Sequence, residues 1–173
     1  MRRQVIKVGS YSFAARRQRT CGHNNNCLGY ALRGNLLVSP QKLRVELAQH
    51  LQTAAEDDRH IMATSILADD DCERLRRREL IDKAEEELAG DCFIPADVFL
   101  HYVQSGHNQH VLKTANYVFL SELEQRDIYV PILCHWEDRR RYATHYIGCN
   151  SNNTHYSTIH VDDGELLNEL LQN

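Results

Sequence analysis

The order of the hydrophobic patterns along the chain limits its fold more than any other feature. Segments with apolar residues at helical spacing lie between Ser39 and Glu124, and segments in which apolar and polar residues alternate follow from Ile128. Helices followed by strands predict an α+β domain with a small, mostly antiparallel sheet flanked by helices. Because no repeat or low-complexity linker divides the sequence, we predict one domain over residues 1–173.

Start and stop signals define the expected helices. Ser39 and Pro40 have the preferences of an N-cap and a first helical position. A second helix is expected between Asp71 and Leu88, because acidic residues open it and Gly90 follows it. The other predicted helices are a short one after Ile94-Pro95, one from about Val111 to Glu124, and a last one from Glu165 to Leu171.

Alternating segments predict strands in the second half of the chain. They cover Ile128–Leu133, Tyr142–Gly148 and Tyr156–Val161. Pro131 indicates an edge or a bulge in the first of these strands, because proline cannot donate to a sheet ladder. The N-terminal residues 1–15 show only a short alternation, so they are expected to form a strand or a flexible arm.

Charge is distributed unevenly along the sequence. Residues 1–45 carry nine Lys or Arg and no acid, so their net charge is +9, against −13 for the remainder. These cations are dispersed and the isoelectric point is about 6.2, which disfavours nucleic acid as a partner. The arginine-rich stretch through Thr20 also fits an organellar transit peptide, but it lacks the apolar run of a secretory signal.

Two further patterns bear on the compartment. No stretch approaches the roughly 18 apolar residues of a membrane span, so no transmembrane helix is expected. The six cysteines form no Cys-x-x-Cys pair, which indicates reduced thiols in a cytoplasmic environment.

The segment around Cys27 is the strongest candidate for chemistry. Three consecutive asparagines predict a turn, and the apolar residues after Cys27 have the spacing of a buried helix face. Cys27 is therefore expected at a helix N-terminus, where backbone N–H groups and the helix dipole lower a thiol's pKa and can bind an oxyanion. The alternative interpretation is a buried cysteine in an ordinary first helical turn.

His155 is the preferred base for such a thiol. It begins the last predicted strand directly after a polar turn, where a rigid element can present its ring. It follows Cys27 by 128 residues, a separation like the cysteine-to-histidine order of papain-like enzymes. His160 would point to the opposite face of the strand, and His145 lies one strand earlier, so both are weaker candidates.

Two segments together resemble the ovarian-tumour (OTU) family of cysteine proteases. Residues 24–32 contain Asn-Asn-Asn-Cys-Leu and then Ala-Leu, similar to the family's Asp-Gly-Asn-Cys-Leu/Phe…Ala-Leu nucleophile motif. Residues 153–159, Asn-Thr-His-Tyr-Ser-Thr-Ile, resemble its Asn-His-Tyr-Asn-Ser-Val/Ile strand. The resemblance extends from Cys27 to about Val161, and it implies the papain-like fold of OTU proteases.

The resemblance implies roles for individual residues. Cys27 corresponds to the nucleophile and His155 to the general base of an acyl-transfer reaction. The family's aspartate three residues before the cysteine is Asn24 here, and the polar residue two after the histidine is Ser157. Asn24 is therefore a candidate oxyanion or orienting residue and Ser157 a candidate orienting residue, with an acid from elsewhere, or no third residue, as alternatives.

The resemblance also implies a substrate. OTU proteases mostly cut the bond after the C-terminal Gly-Gly of ubiquitin, so ubiquitin, polyubiquitin or a ubiquitin-like modifier is the expected partner, and no cofactor is expected. The runs Asp69-Asp70-Asp71 and Glu85-Glu86-Glu87 are candidates for binding the arginines of the ubiquitin tail, and otherwise a helix start or a solvated face. The cations of the basic N-terminal segment are then interpreted as the source of an electrostatic field that favours the Cys27 thiolate. By analogy, a bacterial effector or viral protein in the host cytoplasm fits a divergent OTU domain.

Other functional classes fit parts of the same sequence. Cys21, His23 and Cys27, with His135 or Cys134, could form a zinc-binding module, although their spacing lacks the usual ligand pairs. The departures at Asn24 and Ser157 also fit a catalytically decayed ubiquitin-binding domain. A papain-like deamidase or transferase would use the same cysteine and histidine.

Overall fold

A computed structural model describes residues 3–68, 75–106, 110–124 and 127–173 of the chain. Within these ranges the strands are β1 (Gln4–Val8), β2 (Tyr11–Gln18), β3 (Asn116–Leu123), β4 (Ile128–His135), β5 (Thr144–Cys149) and β6 (Tyr156–Val161). The helices are α1 (Cys27–Ala31), α2 (Pro40–Thr53), α3 (Glu56–Leu67), α4 (Arg77–Ala89), α5 (Ala96–Gln104) and α6 (Gly164–Gln172). No helix in the described ranges is both long and apolar enough to cross a membrane.

The strands close into a barrel in the order β1-β2-β6-β5-β3-β4. Four of the strand pairings are antiparallel, whereas β1 with β4 and β3 with β5 are parallel. Closure and the parallel pairings were not part of the sequence-based expectation of a small, mostly antiparallel sheet. Closure depends on the N-terminal strands, since β1 pairs with β4 and β2 pairs with β6.

The N-terminal segment is an integral part of the barrel. The expected strand is confirmed as β1, whereas β2 was not predicted and the order of helices followed by strands was wrong. Only Phe13 and Ala15 of β2 are buried, and its last three residues, which include two arginines, are exposed. Two buried positions in eight residues are too few for a clear alternating pattern, which is why the sequence did not reveal this strand.

The predicted helix from Val111 to Glu124 is wrong, because the chain forms strand β3 there. The first five residues of β3, Asn116 to Leu120, are all buried. β3 lies between β4 and β5 and has apolar neighbours on both faces, so its residues do not alternate. A continuous apolar run cannot be assigned to a strand or a buried helix from periodicity alone.

The remaining predicted helices and strands are confirmed in part. The Ser39 side chain accepts a hydrogen bond from the Lys42 N–H at 3.4 Å, which confirms the predicted start of α2. Strands β4, β5 and β6 and helices α5 and α6 are confirmed near their expected positions. Pro131 lies beside a bulge, because Phe119 pairs with Leu133 and Leu120 with Pro131. The acidic run 69–71, expected to open α4, lies outside the described residues, and α3 was not predicted.

Two apolar clusters share the strands of the barrel. The larger one joins the helices to one face of β3, β5 and β6, and the smaller one lies on the opposite face and includes Leu167 of α6. Tyr156 belongs to the first cluster and Ile159 to the second, so β6 faces both. Thr158 donates a hydrogen bond to the Ala31 carbonyl at 2.8 Å, which holds α1 against this strand.

Candidate active site

Cys27 is the first residue of α1, and its side chain lies against the start of β6. Its thiol is buried, with 1% of the residue exposed. The backbone N–H of Tyr156 donates to the Cys27 Sγ at 3.4 Å. Because Tyr156 directly follows His155, the tertiary structure brings together the two segments that the sequence analysis singled out.

The asparagine run forms the expected turn. His23–Asn25 is a short 3₁₀ turn, and Asn24 and Asn25 have φ angles of 54° and 55°. Asparagine tolerates this left-handed region better than most residues. The Asn25 and Asn26 N–H groups donate to the carbonyls of Gly22 and His23, both at 3.1 Å, so the turn closes directly before Cys27.

Arg44 of α2 was not among the predicted site residues, yet its guanidinium hydrogen-bonds this turn. It is 1% exposed, and its Nε donates to the Asn26 Oδ1 at 2.7 Å. Its Nη2 donates to the carbonyls of Asn24, Asn25 and Cys92 at 3.2, 2.8 and 2.7 Å. A signal was present, since Arg44 occupies the apolar stripe of α2, one turn before the buried Ala48.

Burial raises the pKa of the Cys27 thiol above its ordinary value. The N–H groups of Tyr156, Leu28 and Cys27 itself lower it, as does the positive charge of Arg44, but burial outweighs them. The expectation of a lowered pKa at the helix N-terminus was therefore wrong for this resting state. Desolvation of a buried thiol favours the neutral form, which the α1 N-terminus does not overcome.

His155 is half-buried just before β6 and contacts the chain on the N-terminal side of Cys27. Its Nε2 lies 3.3 Å from the Thr20 Oγ1. Its Nδ1 faces Gly22, where a Cβ atom would lie 3.4 Å away. No hydrogen bond joins His155 to Cys27 among the contacts of the described residues, so the thiol and the imidazole must move closer before a direct bond forms between them, as is common in substrate-free sites.

Burial lowers the pKa of His155, and the nearby positive charges of Arg19 and Arg17 lower it further. The Thr20 backbone carbonyl opposes this by stabilising the protonated ring. The basic N-terminal segment therefore acts on the histidine through Arg17 and Arg19, and on Cys27 through Arg44. Its cations favour a neutral imidazole as well as a thiolate.

Asn24 and Ser157 both lie near the two segments of the site. The Asn24 carbonyl accepts from Arg44, and Ser157 is buried beside His155 in a cavity of about 190 Å³. Neither side chain hydrogen-bonds the imidazole in the described part of the chain. Thr20, which no sequence motif singled out, makes that contact instead.

The alternative histidines lie elsewhere. His145 is the second residue of β5, and its ring stacks on that of Tyr117 with 5.7 Å between the ring centroids. Cys149, which pairs with Tyr156, lies four residues further along β5, so His145 is about 13 Å along the strand from the position opposite Tyr156. His160 lies 3.3 Å from the Gln18 side chain on the outer surface.

The residues of the zinc alternative do not form a metal centre. Cys21 is exposed and Cys27 is buried, while His135 contacts Glu137 at 3.2 Å. Within the described ranges, no group of three or more His, Cys, Asp or Glu side chains is arranged to hold a metal ion.

Comparisons with known proteins support the fold. No protein-family model and no curated protein sequence matches the chain. Its structure is similar to the crystal structure of an OTU deubiquitinase from Wolbachia pipientis wMel, with a TM-score of 0.53 and 12% sequence identity. The match covers 90% of this chain and 96% of the other. The mixed α/β fold thus resembles an OTU fold, as the motifs implied.

Proposed function

We propose that this protein is a cysteine-type deubiquitinase, in which Cys27 is the nucleophile and His155 the general base. The observation that carries the proposal is the hydrogen bond from the Tyr156 N–H to the Cys27 Sγ. It joins a cysteine at a helix N-terminus to the residue after a histidine that directly precedes β6, within a fold that resembles an OTU deubiquitinase.

The arrangement supports acyl transfer. His155 takes the thiol proton, Cys27 attacks the carbonyl carbon, and the protonated His155 gives the proton to the leaving amine. The histidine then activates a water molecule, which releases the acyl group. The backbone N–H groups of Asn24 and Cys27 are the candidate donors to the oxyanion, since those of Asn25 and Asn26 close the turn, and Arg44 keeps this turn in place.

Acidic side chains near the turn fit a basic substrate tail. Asn25 Nδ2 donates to the Asp91 carbonyl at 2.7 Å, which places the end of α4 beside the cysteine turn. Glu86, Glu87 and Asp91 are exposed there. We therefore propose that this end of α4 contacts the arginines of the ubiquitin tail, and that the protein acts on ubiquitin in a cytoplasm.

A ubiquitin derivative with a C-terminal electrophile tests the proposal. Wild-type protein should form a covalent adduct, and Cys27→Ala should not. The exposed Cys21 provides the matched control, because Cys21→Ala should react like wild type. An adduct that persists in folded Cys27→Ala would contradict the assignment of the nucleophile.

The burial of Cys27 favours one second candidate, a ubiquitin-binding domain without hydrolytic activity. Because Cys27 is only 1% exposed as a residue, a substrate can reach its thiol only if the covering residues move. Adduct formation together with binding to immobilised ubiquitin separates the two candidates. A binding domain would bind the ubiquitin column and form no adduct.

A further inference from the structure

Thr20 follows β2 and lies beside His155. In the antiparallel pairing of β2 with β6, Ala15 faces Val161 and Gln18 faces Thr158. Continuing this register by two residues places Thr20 opposite Tyr156. The pairing of β2 with β6 therefore directs the chain after Gln18 along the start of β6. This path brings the Thr20 hydroxyl next to the His155 ring.

The hydrogen bonds of Thr20 define where its proton lies. Its hydroxyl donates to the Tyr156 backbone carbonyl, which can only accept. The one hydroxyl proton is thereby used, and the oxygen presents a lone pair to the His155 Nε2 at 3.3 Å. A favourable contact then requires a proton on Nε2, which leaves Nδ1 of a neutral ring without one.

We propose that Thr20 is a positioning residue that holds His155 in the Nε2–H tautomer, with the basic Nδ1 directed toward Gly22 and the turn before Cys27. The catalytic consequence rests on the proposed function, whereas the tautomer does not. A hydroxyl in this position orients the ring without adding the negative charge that an aspartate would supply. Among the described residues, no carboxylate hydrogen-bonds the ring, so none stabilises a charged imidazolium through such a bond.

Neighbouring side chains do not take this role. Ser157 shares the cavity with His155 but forms no hydrogen bond with it in the described structure. Glu122 lines the same cavity, and its two carboxylate oxygens accept from the Arg17 Nη1 at 3.1 and 3.2 Å. Its charge is paired with that arginine, so Thr20 is the side chain that meets the ring.

Nitrogen NMR of the histidine side chains tests the tautomer directly. Wild-type protein labelled with ¹⁵N-histidine should show a neutral His155 with the proton on Nε2, and His155→Gln assigns the signal. Thr20→Val should lose this preference, Thr20→Ser should keep it, and Ser157→Ala should leave it unchanged. A wild-type His155 protonated on Nδ1 would overturn the proposal, even if the valine variant did not fold.

Rates of adduct formation test the catalytic consequence. Thr20→Val should slow the maximal rate with the ubiquitin electrophile about tenfold, the upper range for one hydrogen bond, with little change in half-saturating concentration. Thr20→Ser should restore the rate, and Thr64→Val, at an exposed threonine of α3 away from the site, serves as the matched control. An unchanged tautomer and rate in folded Thr20→Val overturns the inference. A shifted tautomer in a protein that never forms the adduct supports the positioning of His155 and refutes the proposed function instead.

Discussion

Replacing Arg44 with methionine should destabilise the protein strongly, because this buried side chain joins the cysteine turn to α4. Methionine retains much of the side-chain volume but provides no donor. The change leaves the Asn26 Oδ1 and the carbonyl of Leu88, both in buried residues, without the guanidinium that now donates to them at 2.7 and 3.3 Å. The carbonyls of the exposed Asn24 and Asn25 can regain hydrogen bonds from water.

The magnitude follows from the buried acceptors. A hydrogen bond from a charged donor contributes about 1.5–3 kcal/mol, so losing the two buried bonds of Arg44 lowers the free energy of unfolding by about 3–6 kcal/mol. For a chain of this length, that corresponds to a fall in Tm of roughly 6–24 °C. The loss is a large share of the roughly 5–15 kcal/mol that stabilises an ordinary domain.

Urea unfolding monitored by circular dichroism measures this effect. Arg78→Met is the matched control, since Arg78 is exposed on α4, and it should change the free energy of unfolding by less than about 0.5 kcal/mol. Equal unfolding midpoints for the two variants would refute the reasoning that the Arg44 contacts hold the cysteine turn.

Three further substitutions have distinct expected outcomes. Gly22→Ala should slow adduct formation about tenfold, because the new Cβ would lie 3.4 Å from the His155 Nδ1. The Tm should not change, since alanine readily adopts the φ of −97° found at this position. A normal rate would contradict the placement of that nitrogen. Gly148→Ala should lower the free energy of unfolding, measured in urea, by about 1–3 kcal/mol, because its Cβ would lie 2.8 Å from the Ile159 Cδ1. Unchanged stability would disprove this close packing. Arg19→Gln should raise the pKa of His155 in an NMR titration, because removing a nearby positive charge makes protonation easier; an unchanged or lower pKa would show that this charge does not act on the ring.

The sequence was sufficient for the features that depend on local residue preferences. The start of α2 follows from Ser39 and Pro40, and the turn before Cys27 follows from three asparagines that tolerate left-handed φ angles. The position of His155 next to a strand follows from the alternation after it. Each of these signals lies within a few residues of the element that it predicts.

Contacts between distant segments could not be predicted in this way. The apolar run of β3 indicates burial but not a strand, because burial on both faces removes the alternation. Closure of the barrel depends on pairing β2 with β6, which are more than 130 residues apart. Only that register places Thr20 beside His155.

The electrostatics of the site were also decided by tertiary structure. A cysteine at a helix N-terminus is expected to have a lowered pKa, yet burial raises the pKa of Cys27, because packing removes the water that would solvate a thiolate. The sequence determined which residues stand at the ends of α1 and β6. The folded barrel determined their distances, their burial and the arginine and threonine that hold them, since these properties arise from segments that meet only when the sheet closes.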